Sequence, residues 1–96
     1  MVEYIYDAIK ATANTETQIA AIITGDDNAA ITEGCSLMLF NDEELLVTAE
    51  GYYYEDTWFF TIPAEVTAKF HGRYWYCIFD EVNHRNLSFK QPIYFV

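Results

Sequence analysis

The side chains with the greatest chemical reach in this chain are two cysteines, two histidines and four clusters of acids. Cys35 and Cys77 both fall inside apolar, strand-like runs, Cys35-Ser36-Leu37-Met38-Leu39-Phe40 and Arg73-Tyr74-Trp75-Tyr76-Cys77-Ile78-Phe79. A thiol in such a run packs as a small hydrophobe, so the pair reads as two buried free thiols, with an intramolecular disulfide as the alternative. Nucleophilic use needs a base and an orienting group, and no residue spacing points to either. His71 and His84 sit at expected turns, where an imidazole is ordinarily solvated, and no Cys or His spacing matches a zinc pattern. Asp26-Asp27, Asp42-Glu43-Glu44, Glu55-Asp56 and Asp80-Glu81 could offer oxygens to calcium from turns at one end of a sandwich. None has the spaced ligands and glycine of an EF-hand loop, so they read as solvated turn acids. With no triad, metal set or phosphate loop, the chain is expected to be non-enzymatic and to use no cofactor and no metal.

The aromatic residues say more. Eight Tyr, seven Phe and two Trp make 18% of a chain of only 96 residues. Thr57-Trp58-Phe59-Phe60-Thr61-Ile62 alternates, which places Trp58, Phe60 and Ile62 on an inward face and Thr57, Phe59 and Thr61 on the other. Tyr52-Tyr53-Tyr54 and Tyr74-Trp75-Tyr76 likewise put large rings on both faces of their strands. Either the core takes all of these rings, or those that face away form a contact surface, since Tyr, Trp and Arg concentrate at interface centres. The candidate contact residues are Tyr53, Phe59, Arg73 and Trp75. Exposed Tyr and Trp could alternatively stack on a small carbohydrate or other ligand.

Gly, Pro, Asn and Asp clusters that recur every eight to twelve residues must position these rings, and that spacing is the signature of a sandwich or small barrel. An edge strand is expected over Tyr4 to Thr12, then a buried strand over Thr17 to Thr24 that stops at Gly25-Asp26-Asp27-Asn28. Residues 29 to 34 read as a loop closing on Gly34. Cys35 to Phe40 and Leu45 to Ala49 follow as strands, and Gly51 opens a separate Tyr52-Tyr53-Tyr54 segment. Pro63 starts a short helix over Ala64 to Phe70 that places Val66 and Phe70 on one face, with His71-Gly72 as its left-handed cap. Arg73 to Phe79 is a strand, Asn83-His84-Arg85-Asn86 a hairpin turn, and Leu87 to Val96 the last strand, with Pro92 marking an edge, bulge or break. No helix is long enough for βαβ crossovers, which argues against a parallel sheet and for one all-β domain over residues 1–96.

Fifteen Asp and Glu against five Lys and Arg give a formal charge of −10. Such a surface repels phosphate, so neither nucleic acid nor an anionic membrane is an expected partner. The charge keeps molecules apart in solution, or alternatively docks a basic partner. The N-terminus carries acids and no apolar signal region, so the chain is expected to be made in the cytoplasm and not secreted by a signal peptide.

The run from Pro63 through Ile78, a short helix followed by Gly72-Arg73-Tyr74-Trp75-Tyr76-Cys77-Ile78, resembles the "helix, then G-x-Y-x-Y-x-I" pattern of immunoglobulin-like domains in phage baseplate and tail proteins. The turn at Gly25-Asp26-Asp27 and the final apolar segment Gln91 to Val96 are similar to the early turn and closing strand of that family, so the likeness spans roughly residues 8 to 96. It implies an immunoglobulin-like β-sandwich of about seven antiparallel strands, with one short helix before the penultimate strand. It further implies a structural role in a phage or prophage particle, with other protein subunits as partners, either copies of the chain or a neighbouring virion protein. By this likeness Tyr74, Tyr76 and Ile78 face inward, and Arg73, Trp75 and Cys77 face the other way. Family members usually continue into a coiled coil or a receptor-binding region after this domain.

Overall fold

A computed structural model of the chain describes residues 2–6, 10–11 and 15–96. Its strands are β1 (Val2–Tyr6), β2 (Lys10–Ala11), β3 (Thr17–Ile23), β4 (Cys35–Asn41), β5 (Glu44–Tyr54), β6 (Thr57–Ile62), β7 (Gly72–Asp80), β8 (Arg85–Asn86) and β9 (Gln91–Phe95), with one helical turn, α1 (Ala64–Thr67). Alternation decides which side chains go inside. Trp58, Phe60 and Ile62 of β6, Ile19, Ala21 and Ile23 of β3, and Tyr76 and Ile78 of β7 are all buried in one core. Leu37 and Leu39 of β4 and Ile93 and Phe95 of β9, the neighbours of β7 in its sheet, complete it.

Two sheets share that core. One is β1-β3-β6 with Gly51–Tyr54 of β5, and the other is Glu44–Glu50 of β5 with β4, β7, β9 and β2. Pairing is antiparallel except between β2 and β9, where Lys10 and Ala11 lie parallel to Tyr94 and Phe95. That two-residue pair needs no helical crossover because it joins opposite ends of the chain, and it qualifies the expectation of wholly antiparallel sheets. Of the expected first edge strand, β1 is an edge of the first sheet and β2 an edge of the second; residues 7–9 and 12 lie outside the described residues.

Three boundaries differ from the sequence reading, each for a local reason. Leu45 to Ala49 and Tyr52 to Tyr54 are not separate strands but one eleven-residue β5 that passes from one sheet to the other. Gly51 makes the passage possible: a Cβ there would lie 2.5 Å from Trp58 Cε3 and 2.6 Å from the Cys35 carbonyl oxygen. The helix stops at Thr67 instead of Phe70. The Thr67 hydroxyl donates to the carbonyls of Thr15 (2.7 Å) and Ala64 (3.1 Å), which ties the turn to the incoming chain. Gly72, at φ +94°, opens β7 and does not cap α1. Val66 and Phe70 nevertheless both pack on the core, with Phe70 set against Tyr74 and Phe95 at 5.0 and 5.3 Å between ring centroids.

The third difference matters most for the surface. The last strand does not run unbroken from Leu87. It begins as β8, paired with Phe79 and Asp80, and resumes as β9, paired with Gly72 to Tyr76. Residues 87–90 therefore face only Cys77 and Ile78 of β7 and bulge outward. Side chains and displaced backbone groups replace the ladder there: the Leu87 amide donates to the Ile78 carbonyl (2.8 Å), and the Ile78 amide donates to Ser88 Oγ (3.0 Å). Pro92 is tolerated because β2 reaches only Tyr94 and Phe95, leaving the far edge of β9 at residue 92 without a strand neighbour among the described residues.

Candidate functional site

The outward positions of the β5-β4-β7-β9 sheet form the surface of interest. Period-two alternation brings Arg73, Trp75, Cys77 and Phe79 of β7 to this face, because Tyr76 and Ile78 are held in the core. In register, Trp75 lies between Phe40 of β4 and Pro92 of β9, and Arg73 lies beside Tyr94. The Arg73 guanidinium sits over the Trp75 ring at 5.1 Å from its centroid. On the neighbouring strand the Lys90 ammonium sits over Phe40 at 4.3 Å. Lys90 is also fixed by the Asp42 carbonyl (3.2 Å) and Glu43 (3.7 Å), so the β4–β5 turn and the bulge are clasped together. Both cations thus stand over aromatic faces, where the ring quadrupole attracts them.

The bulge turns this face from a plane into a cleft. A cavity of about 440 Å³ opens between Phe40, Cys77, Asn86, Ser88, Phe89 and Lys90. Phe89 projects from its wall at 89% exposure, the most exposed large apolar side chain of the described residues. Sequence alternation alone would pair Phe89 with Leu87 and turn both inward, which is why Phe89 was not among the expected contact residues. The one signal bearing on it was Pro92, which marked the segment for a break.

Cys77 forms the cleft floor, and its thiol points to Asn86 Oδ1 at 3.9 Å. Burial pushes this thiol above its ordinary pKa, while the nearby Lys90 charge pulls the other way. Cys35 points into the core on the opposite face of the same sheet, where burial and the Asp80 charge push it up to about 11. Two thiols on opposite faces cannot join, and both cysteines are free and buried.

The other expected contact residues do not share this surface. Tyr53 turns toward the core side and packs on Trp58 at 5.4 Å between centroids. Its hydroxyl donates to Asp56 (3.1 Å), and partial burial together with that bond raises the phenol pKa. Phe59 faces outward on the first sheet, opposite Tyr52. Tyr52 and Tyr54, the exposed neighbours of Tyr53, stack 6.3 Å apart with their rings 13° from parallel. Arg73 and Trp75 therefore belong together, Phe59 belongs to the opposite side of the sandwich, and Tyr53 supports the core.

At one end of the molecule, Asp80 is buried to 1% exposure, yet its carboxylate is fully engaged. It accepts from the Val82 and Asn83 amides (3.0 and 3.2 Å), from Asn83 Nδ2 (2.9 Å) and from Arg85 Nε (3.4 Å). The Asn83 side chain, followed by the backbone amides and Arg85, holds this carboxyl below the usual carboxylate range against the effect of burial. Among the described residues no three His, Cys, Asp or Glu side chains are placed to hold a metal ion.

Neither a protein-family model nor a curated protein sequence matches the chain. Seven chains of solved structures do match, among them the crystal structure of the Lin-41 filamin domain, with a TM-score of 0.68 over 99% of this chain and 91% of that one at 13% identity. The fold is immunoglobulin-like. At that identity the likeness is one of backbone alone, so the immunoglobulin-like sandwich is a scaffold and what this chain recognises is decided by the side chains on its faces.

Proposed function

We propose that this immunoglobulin-like domain is a non-enzymatic assembly protein of a phage or prophage particle, working through protein–protein contacts made by the outward face of the β5-β4-β7-β9 sheet. The observation that carries the reading is the composition of that face. Phe40, Trp75, Phe89 and Tyr94 stand with Arg73 and Met38 on one side of one sheet, and these are the residue types that concentrate at interface centres. The particle itself is suggested by the helix followed by Gly72-Arg73-Tyr74-Trp75-Tyr76-Cys77-Ile78 and its similarity to baseplate and tail immunoglobulin-like domains. A second reading, a small carbohydrate-binding module, is favoured by the near-parallel exposed pair Tyr52 and Tyr54.

Two measurements test the first reading. Quantitative mass spectrometry of purified phage particles from an induced source is expected to find the chain at a fixed copy number, and its absence would remove the particle assignment. Trp75→Ala is expected to release the protein from its partner at least about tenfold more readily while the folded spectrum is unchanged, as truncation of a central interface Trp commonly does. A glycan array that reports binding abolished by Tyr52→Ala, with Trp75→Ala silent in assembly, would transfer the function to the second reading.

A further inference from the structure

Resting on the reading of this face as a protein contact surface, we propose that its occupant is a second copy of this chain, with Phe89 of each copy seated in the cleft of the other. The first argument is electrostatic. A molecule with a formal charge of −10 repels its own copy wherever the two surfaces meet acid to acid. The outward positions of the sheet are Ser36, Met38, Phe40, Leu45, Thr48, Arg73, Trp75, Cys77, Phe79, Pro92 and Tyr94, with Glu50 at the margin beside Ser36 and the acidic turn Asp42-Glu43-Glu44 bordering Trp75 and Lys90. Arg73 and Lys90, two of only five cations in the chain, both stand here. Both signs of charge therefore lie on one patch, Arg73 and Lys90 beside the Asp42-Glu43-Glu44 turn, and a second copy can match them without adding to the repulsion between the two molecules.

Shape supplies the second argument. A twofold contact is self-complementary, so a knob and its hole must lie on one patch of one molecule. Phe89 is such a knob, 89% exposed, and it stands on the rim of an apolar cleft floored by Phe40 and Cys77. Residues 87–90 are anchored by the Leu87 and Ser88 hydrogen bonds to Ile78 and by Lys90, whose ammonium donates to the Asp42 carbonyl and rests over the Phe40 ring. The ring is thus presented on a pinned support, which lowers the ordering cost of association.

The test is sedimentation equilibrium of the wild-type chain and of Phe89→Ser over a wide concentration range, at about 50 mM and about 500 mM NaCl. Phe89 makes little contact within its own chain, so Phe89→Ser leaves the fold intact, which circular dichroism verifies. The expected result is a wild-type monomer–dimer equilibrium that tightens with salt as the mutual repulsion is screened, weakened at least about tenfold in Phe89→Ser and restored in Phe89→Leu. A wild-type chain that stays monomeric at both salt concentrations would overturn the proposal, as would a dimer indifferent to Phe89→Ser. A monomer that is still found at fixed copy number in purified particles, with Trp75→Ala impairing its incorporation, overturns the second copy as occupant but leaves the assembly role standing with another protein on the same face.

Discussion

Asp80 shows how a single acid can be structural in a chain that is otherwise overloaded with acids. The four residues that follow it, Glu81 to His84, are exposed turn residues, whereas Asp80 is buried and organises the 80–85 turn by accepting from two amides, an Asn side chain and Arg85. Hydrogen bonds to a buried charge are worth about 1.5–3 kcal/mol, more than neutral ones. Asp80→Asn is therefore expected to cost about 2–3 kcal/mol at neutral pH in denaturant titrations. Because the folded carboxyl is held below its unfolded range, its contribution is complete above the unfolded pKa of about 3.9 and disappears as pH falls through the lower folded value. The gap between wild type and Asp80→Asn should accordingly stay constant down to about pH 4 and close below it. A gap that persists undiminished in strong acid would mean that shape and not charge is what the site requires.

At the scale of elements, β5 is the strand on which the sandwich depends, because it belongs to both sheets. Gly51 is the corner, and its missing Cβ leaves room for Trp58, Phe60 and the Cys35 carbonyl. The Trp58 indole is itself pinned by donating to the Ile31 carbonyl at 2.6 Å, so it cannot swing aside. Gly51→Ala should then be destabilising by about 2–3 kcal/mol, the upper part of the usual range for overpacking a filled core, and thermal unfolding would register it directly. The sequence marked Gly51 as punctuation but not its meaning: a glycine that ends a strand and one that carries a strand around a corner look alike in one dimension. The same limit explains the rest. Trp58, Phe60 and Ile62 were legible as core because two-residue alternation needs no tertiary information, whereas alternation alone left open which face of Arg73 to Phe79 turns inward; the resemblance chose Tyr76 and Ile78 for the core and Arg73 and Trp75 for the outside, as the structure has them. Phe89 was missed because a bulge breaks that alternation, and what holds the bulge is the distant partners Asp42 and Ile78. Tyr53 was misplaced among three consecutive tyrosines, where composition does not reveal which ring meets Trp58.

For the molecule as a whole, net charge and ion pairing pull stability in opposite directions with salt, and their sizes decide the sign. Three ion pairs connect the described residues: Arg85 to Asp26 and to Asp80, and Lys90 to Glu43. The Asp26 and Glu43 side chains are 95% and 97% exposed, so those two pairs contribute little, and the third joins a buried carboxylate that salt barely screens. Against them stands the mutual repulsion within a chain of formal charge −10. Repulsion among exposed acids is the larger screenable effect, so the folded state should gain stability as NaCl is raised from about 20 to about 300 mM. A gain of about 0.5–1 kcal/mol corresponds to a rise in Tm of roughly 3–6 °C for a domain of this size. Because self-association would also raise Tm with salt, the scan belongs in Phe89→Ser at low micromolar concentration, where the dimer is absent and only the repulsion within one chain is read. A Tm that falls with salt in that variant would show that the few ion pairs, not the surplus acids, set the balance.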